Sequence, residues 1–181
     1  MRLWVNVLGY QAVWLIAVIG AANGTPWPGL LAAPVFVVWQ WLASGERAGD
    51  VRLVACAVLL GVALDGALAG SGLLRYAAQV PAALAPLWIL AIWAAFAMTL
   101  NHSLAFLKGR IAWAALLGVI GGPLAYLGAA RGFHAVEFVA PAWRAFLTLA
   151  LGWAIALPVL VRLSQHWSSQ RDPYAPMETT P

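Results

Sequence analysis

The sequence predicts an all-α protein, a polytopic membrane helix bundle of about six transmembrane helices with both termini cytoplasmic. Three observations carry that prediction. Of 181 residues 64% are hydrophobic and only 9% charged, with a mean hydropathy of +0.85, whereas soluble domains run near a quarter charged. Ten Lys/Arg and six Asp/Glu cannot coat a water-soluble surface. Six apolar stretches approach the roughly 20 residues that a hydrocarbon core about 30 Å thick demands of a helix, and each ends at charges or at Gly/Pro clusters. The basic residues are distributed unevenly across the loops between them.

In chain order the stretches are Leu3 to Ala22, Trp27 to Ala43, Val51 to Ala69, Leu84 to Leu107, Ile111 to Ala129 and Trp143 to Leu163. The first competes with a cleaved signal peptide, since Arg2, an apolar run and "IGAANG" fit that pattern loosely. Asn6, Tyr10 and Gln11 interrupt the apolar region, and removing the span would break loop parity, so it is read as a span. The second carries Pro34, which a transmembrane helix tolerates where neighbours satisfy the freed carbonyl. With the N-terminus inside, Arg2, Arg47, Arg52, Lys108, Arg110, Arg162 and Arg171 fall inside, and Arg75, Arg131 and Arg144 outside. Basic loops stay in the cytoplasm, so this split favours both termini in. The net charge of +4 is then a topology signal; its dispersal over short loops argues against nucleic acid as a partner. Residues 1–163 read as one transmembrane domain, and residues 164–181, polar and Pro-rich, as a short disordered cytoplasmic tail.

An internal duplication is also visible. "LLGVALDGALAGSG" from Leu59 resembles "LLGVIGGPLAYLGAARG" from Leu116, and a Pro-x-Trp follows each, at Pro86 to Trp88 and Pro141 to Trp143. Both would be outward helices followed by inward ones. The small residues recurring there, Gly61, Gly66, Gly118 and Gly122 among them, suit close helix packing where no hydrophobic force draws helices together.

"MRLWVNVLGYQAVWL", "LDGALAGSG", "PLWILAIWAAFAMTLNHSL" and "GVIGGPLAYLGAARG" together resemble, in order and spacing, a family of bacterial inner-membrane proteins known as domain of unknown function 2878. The resemblance covers nearly all of the chain except the tail. It implies a multi-pass protein of the bacterial inner membrane and supplies no reaction. Members are often encoded beside fatty-acid-modifying enzymes such as cyclopropane synthases, so the resemblance implies lipid metabolism by association alone.

Two places break the apolar pattern. In "TLNHSLAFLKGR" the fourth span carries Asn101, His102 and Ser103 in succession. On a continuous helix Thr99, His102, Ser103 and Phe106 share a stripe while Asn101 points elsewhere, so two neighbours are served. His102 would lie six residues, or roughly 9 Å, from the boundary at Lys108. One reading is interhelical hydrogen bonding. Another is a polar pocket open to the cytoplasmic leaflet, with Lys108 and Arg110 on its rim to attract an anionic head group. A catalytic His102 lacks a neighbouring carboxylate to orient it. The second break is Asp65. A carboxylate inside a membrane helix costs about 2.5 to 3.5 kcal/mol on insertion scales, so it is paired, protonated or hydrated. Tyr126 reaches a similar depth, and Arg144 is a candidate ion partner. Asp65 then either fixes helix register or takes part in proton transfer or ligand binding.

Several chemistries are excluded by counting. Three scattered histidines build no metal box, and the single Cys56 no intrachain disulfide or Cys-based zinc site. Nucleophile elbow, Walker loop and HExxH are absent, and no metal or cofactor is expected. Eleven Trp exceed what interfacial belts use; Trp14, Trp93 and Trp153 fall within spans, either as core or as aromatic walls for a hydrophobic ligand. A membrane terpenoid cyclase, with Asp65 as acid and aromatic faces sheltering a cation, is a bolder version. The leading reading is a protein that binds or handles a lipid or other hydrophobic small molecule as an accessory of membrane-lipid modification, with membrane lipids as its partners. The alternatives are a small membrane enzyme acting through Asp65 or His102, and a structural subunit. A tunnel lined by Asp65 and Trp93 would favour the enzyme; a sealed interior would favour the subunit.

Overall fold

The computed structural model describes residues 2–168, whose regular structure is helical apart from two strands of three residues each. α1 (Arg2–Ala22) and α2 (Trp27–Ala43) form a hairpin. Its turn is closed by Asn23, which donates its side-chain amide to the Ile19 carbonyl at 2.8 Å. Gly24 follows at φ +78, a left-handed conformation open to glycine at no steric cost. α3 (Arg47–Gly70) is followed by β1 (Leu74–Tyr76), a loop and α4 (Leu87–Ala97); α5 (Ile111–Phe133) is followed by β2 (Val136–Phe138), a loop and α6 (Trp143–Ser168). β1 and β2 pair antiparallel, with Arg75 opposite Glu137.

The two helix–strand–helix units are built alike. α3 and α5 both end on wide backbone closures, Leu73 N–H to the Leu68 carbonyl five residues back and Ala135 N–H to the Ala129 carbonyl six residues back. Such a closure satisfies carbonyls left over at a helix end and turns the chain sharply. His134 at φ +59 and Gly72 at φ +68 take the left-handed position there. Side chains about 60 residues apart occupy matching places. Gly61 lies against the Trp93 indole and Gly122 against the Trp153 indole, and the two indoles stack at 4.3 Å with 9° between their planes. The match by Pro-x-Trp is therefore corrected, because Trp88 is fully buried whereas Trp143 is 61% exposed. Trp93 and Trp153 are the counterparts.

Six helical segments run back and forth between two ends. One end holds the strands; there Trp88 donates to the Ala77 carbonyl at 3.0 Å. The opposite end gathers Asn6, the start of α3, residues 98–108 and the end of α6, joined by side-chain hydrogen bonds. α1, α3, α5 and α6 are long and apolar enough to cross a membrane; α2 and α4 are shorter apolar helices. Large apolar side chains such as Leu31, Val35, Leu59 and Ile155 face outward on these helices, as they would toward lipid.

Five of the sequence-derived spans match helices within a few residues at each end, with α3 beginning at Arg47 and α6 running on to Ser168. Residues 164–168 are thus helix, and Ser164 is buried; the expected tail otherwise falls on residues 169–181, outside the described residues. The fourth span differs. α4 stops at Ala97, only 11 residues long. Met98, Thr99 and Leu100 then bond three residues back, and Leu104 N–H reaches the Thr99 carbonyl, before a 3₁₀ turn at Ala105–Leu107. The break is held from outside: the Asn6 amide donates to the Met98 carbonyl at 3.1 Å, satisfying backbone that a continuing helix would have paired.

Candidate functional site

Asp65 lies on α3 with no solvent exposure. Its Oδ2 accepts from the Trp93 indole N–H at 2.8 Å, and its Oδ1 from the Tyr76 hydroxyl at 2.9 Å and from the Tyr126 hydroxyl. Three donors from α4, β1 and α5 converge on one carboxylate, which is how a buried charge is offset without a cation. Arg144 is not among them: it is exposed, and its guanidinium sits 5.7 Å from the Trp143 ring.

Beside this cluster a cavity of about 550 Å³ opens between α1, α4, α5 and α6. Its walls are aromatic, with Trp14, Trp93, Phe96 and Trp153, and Gly118, Gly121 and Gly122 of α5 form a floor bare of side chains. Its polar points are Tyr10, Gln11, Thr99 and Tyr126. Asp65 does not line it, since Trp93 and Tyr126 stand between. Gly118 and Gly122 are required by the approach of α6, because a Cβ at Gly118 would fall on the Trp153 carbonyl oxygen and one at Gly122 on its indole.

The polar triplet lies elsewhere. Asn101 donates its amide to the buried Asp50 carboxylate at 2.7 Å, and its carbonyl accepts from Lys108 at 2.7 Å and Ser164 at 2.6 Å. Lys108 also donates to Ser168 at 2.8 Å. Burial draws the Lys108 ammonium below the ordinary lysine range, opposed by the carboxylates of Glu46 and Asp50. Ser103 turns to α1, donating its hydroxyl to Asn6 at 2.6 Å. His102 is half-buried in the turns between, and Arg110 is exposed at the start of α5.

The eight candidate residues therefore divide. Asp65 and Tyr126 are directly bonded, and Thr99 lines the same cavity as Tyr126, its hydroxyl given to the Phe96 carbonyl. Asn101 and Lys108 belong to a network at the opposite end of α3, with Lys108 turned inward rather than onto a rim. The stripe of Thr99, His102, Ser103 and Phe106 does not exist as such, because the helix that would carry it ends first. Asp50, Asn6, Tyr76 and Ser164 were not singled out. Asp50 reads as a loop charge at a span's edge, Tyr76 as a loop residue, and Asn6 only as an interruption of an apolar run.

Among the described residues, fold and cavity together define a bundle of six α-helices, four of them long and apolar enough to cross a membrane, with an aromatic-walled cavity opening between α1, α4, α5 and α6. The chain belongs to the family described as protein of unknown function DUF2878, whose model matches residues 3–159. No curated protein and no solved structure matches it.

Proposed function

We propose that this chain crosses the bacterial inner membrane six times with both termini cytoplasmic, and that it binds a lipid or other hydrophobic small molecule within its bundle as an accessory of membrane-lipid modification. The observation that carries the binding reading is the cavity. At about 550 Å³ it lies within the range of small-molecule sites, roughly 300 to 1,000 Å³, and shares their mix of apolar walls with few polar points. A structural subunit would gain nothing from such a void, which forfeits packing contacts. The topology rests on the Lys/Arg distribution and on the alternating run of the six segments, and the accessory role on the family's association with lipid-modifying enzymes.

Gly121→Leu tests the binding reading, because a Cβ there meets nothing nearer than Leu117 Cδ1 at 3.9 Å and the added side chain projects into the chamber. Mass spectrometry of small molecules copurifying with wild type and variant should show one species depleted from the variant. Identical small-molecule content in both would overturn the reading.

A second reading, a small membrane enzyme, is favoured by Tyr126, which both bonds Asp65 and lines the cavity. The phenol would be the group in reach of a ligand, and the carboxylate would orient it. Tyr126→Phe separates the two readings: a binder keeps its copurifying molecule, whereas an enzyme also accumulates unconverted substrate.

A further inference from the structure

The cavity has a closed side and an open one. Its lining residues on α4 and α6 are buried or half-buried, and the exposed ones are Gln11 on α1 and Leu117, Leu124 and Ala125 on α5. α1 packs closely on α2 and only sparsely on α5, so the mouth lies between α1 and α5. Gln11 stands midway along α1, roughly 15 Å from either end at 1.5 Å per residue. A mouth at that height faces the hydrocarbon core rather than the head groups. Of the cavity's polar side chains, Thr99 gives its hydroxyl to the Phe96 carbonyl and Tyr126 gives its own to Asp65. The Tyr10 hydroxyl and the Gln11 amide have no hydrogen-bond partner among the described residues. A primary amide at the middle of a bilayer with nothing to bond is costly, because the hydrocarbon offers neither donor nor acceptor.

Resting on the membrane and binding readings above, we infer that the cavity's ligand is an uncharged lipid that enters sideways from the bilayer core between α1 and α5, its carbonyl oxygen accepting from the Gln11 amide at the mouth. Depth selects against a phospholipid, whose charged head would have to leave the interface. Among the described residues that line the cavity none is acidic, basic or histidine, so such a head would be desolvated there without a counter-ion. A ketone or quinone-type oxygen needs only a donor. Behind Gln11 the Tyr10 ring stands edge-on to Phe96 at 5.8 Å, the start of an aromatic wall for the rest of the molecule.

The test is binding of radiolabelled 9-heptadecanone and octadecane, equal in heavy atoms, to the full chain in dodecyl maltoside, with Gly121→Leu defining uptake outside the cavity. Gln11→Met keeps an unbranched side chain at an exposed position and removes the amide. The ketone-to-alkane affinity ratio should fall roughly tenfold in Gln11→Met, as loss of one hydrogen bond implies, while alkane binding holds. The ketone stretch in infrared difference spectra should lie at lower wavenumber on the wild type than on Gln11→Met. Ala125→Trp, which narrows the mouth, should slow the uptake of both probes, and unlabelled dioleoyl phosphatidylglycerol should displace the ketone far less than unlabelled ketone does. If the ratio or the band is the same in wild type and Gln11→Met, if Ala125→Trp leaves the uptake rate unchanged, or if the phospholipid competes as well as the ketone, this inference fails and the binding reading stands. It fails likewise if the wild type is a dimer that Gln11→Met makes monomeric, because the amide then has a second copy as its partner. If Gly121→Leu changes the uptake of neither probe, both fail.

Discussion

Asp65→Leu removes the common acceptor of three buried donors. Both phenols reach Oδ1, so once it is gone they can turn toward each other. Trp93 cannot follow, because its ring is wedged between Gly61 and the Trp153 stack, and its N–H is stranded. Each lost hydrogen bond to a charged acceptor is worth about 1.5–3 kcal/mol and a stranded donor costs about 1–3 kcal/mol. Against this stands relief from burying a carboxylate, about 2.5–3.5 kcal/mol on insertion scales. The balance is a net loss of a few kcal/mol, and each kcal/mol lowers the unfolding midpoint by roughly 2–4 °C for a chain of this size. Asp65→Asn should lose less, since the amide offers its oxygen to Trp93 and its NH₂ to the phenol oxygens. Differential scanning fluorimetry in detergent should rank wild type above Asn and Asn above Leu, and Trp93→Phe in the Leu background should recover part of the loss. A Leu variant as stable as Asn would refute the account of Asp65 as a hydrogen-bonded lock.

Gly118→Ala should lower the yield of folded monomer sharply, because its Cβ meets backbone of α6 and overpacking costs about 1–3 kcal/mol or more; Gly121→Ala should be neutral, and size-exclusion profiles of the two compare them directly. Asn101→Leu strips Asp50 and Lys108 of a shared partner and should cost about 1–3 kcal/mol by the same fluorimetry, with wild-type stability as the refuting result. An alkaline phosphatase fusion after Pro181 should be inactive and a green fluorescent protein fusion there bright; an active phosphatase would overturn the proposed topology.

Most helix bounds were legible because a lipid-length apolar run leaves a strong compositional mark. The early end of α4 was not, since Asn101 to Ser103 read equally well as polar side chains on a continuing helix and the break is fixed by a tertiary contact from Asn6, 92 residues away. That one contact also undid the helical stripe on which the polar pocket was drawn. Asp65 stood out as a carboxylate in an apolar helix, but its donors come from a strand and two other helices, and Tyr76 carries no mark in the sequence that separates it from an ordinary loop tyrosine. Asp50 was hidden for the opposite reason: charges at span ends are common, and burial of this one depends on Asn101 folding over it.

The two like-built units have a consequence for how such a pair can be made. In a two-fold homodimer the residue nearest the axis must meet its own copy. Two facing aspartates would repel or share a proton, and two facing tyrosines would carry no charge to bind. Joined in one chain, the halves are free to differ at that place, and here Asp65 meets Tyr126. The lock at the centre of the bundle is thus a pairing that no symmetric assembly of identical subunits could form, and it is the covalent linkage that lets one half hold the charge while the other presents its phenol to the chamber.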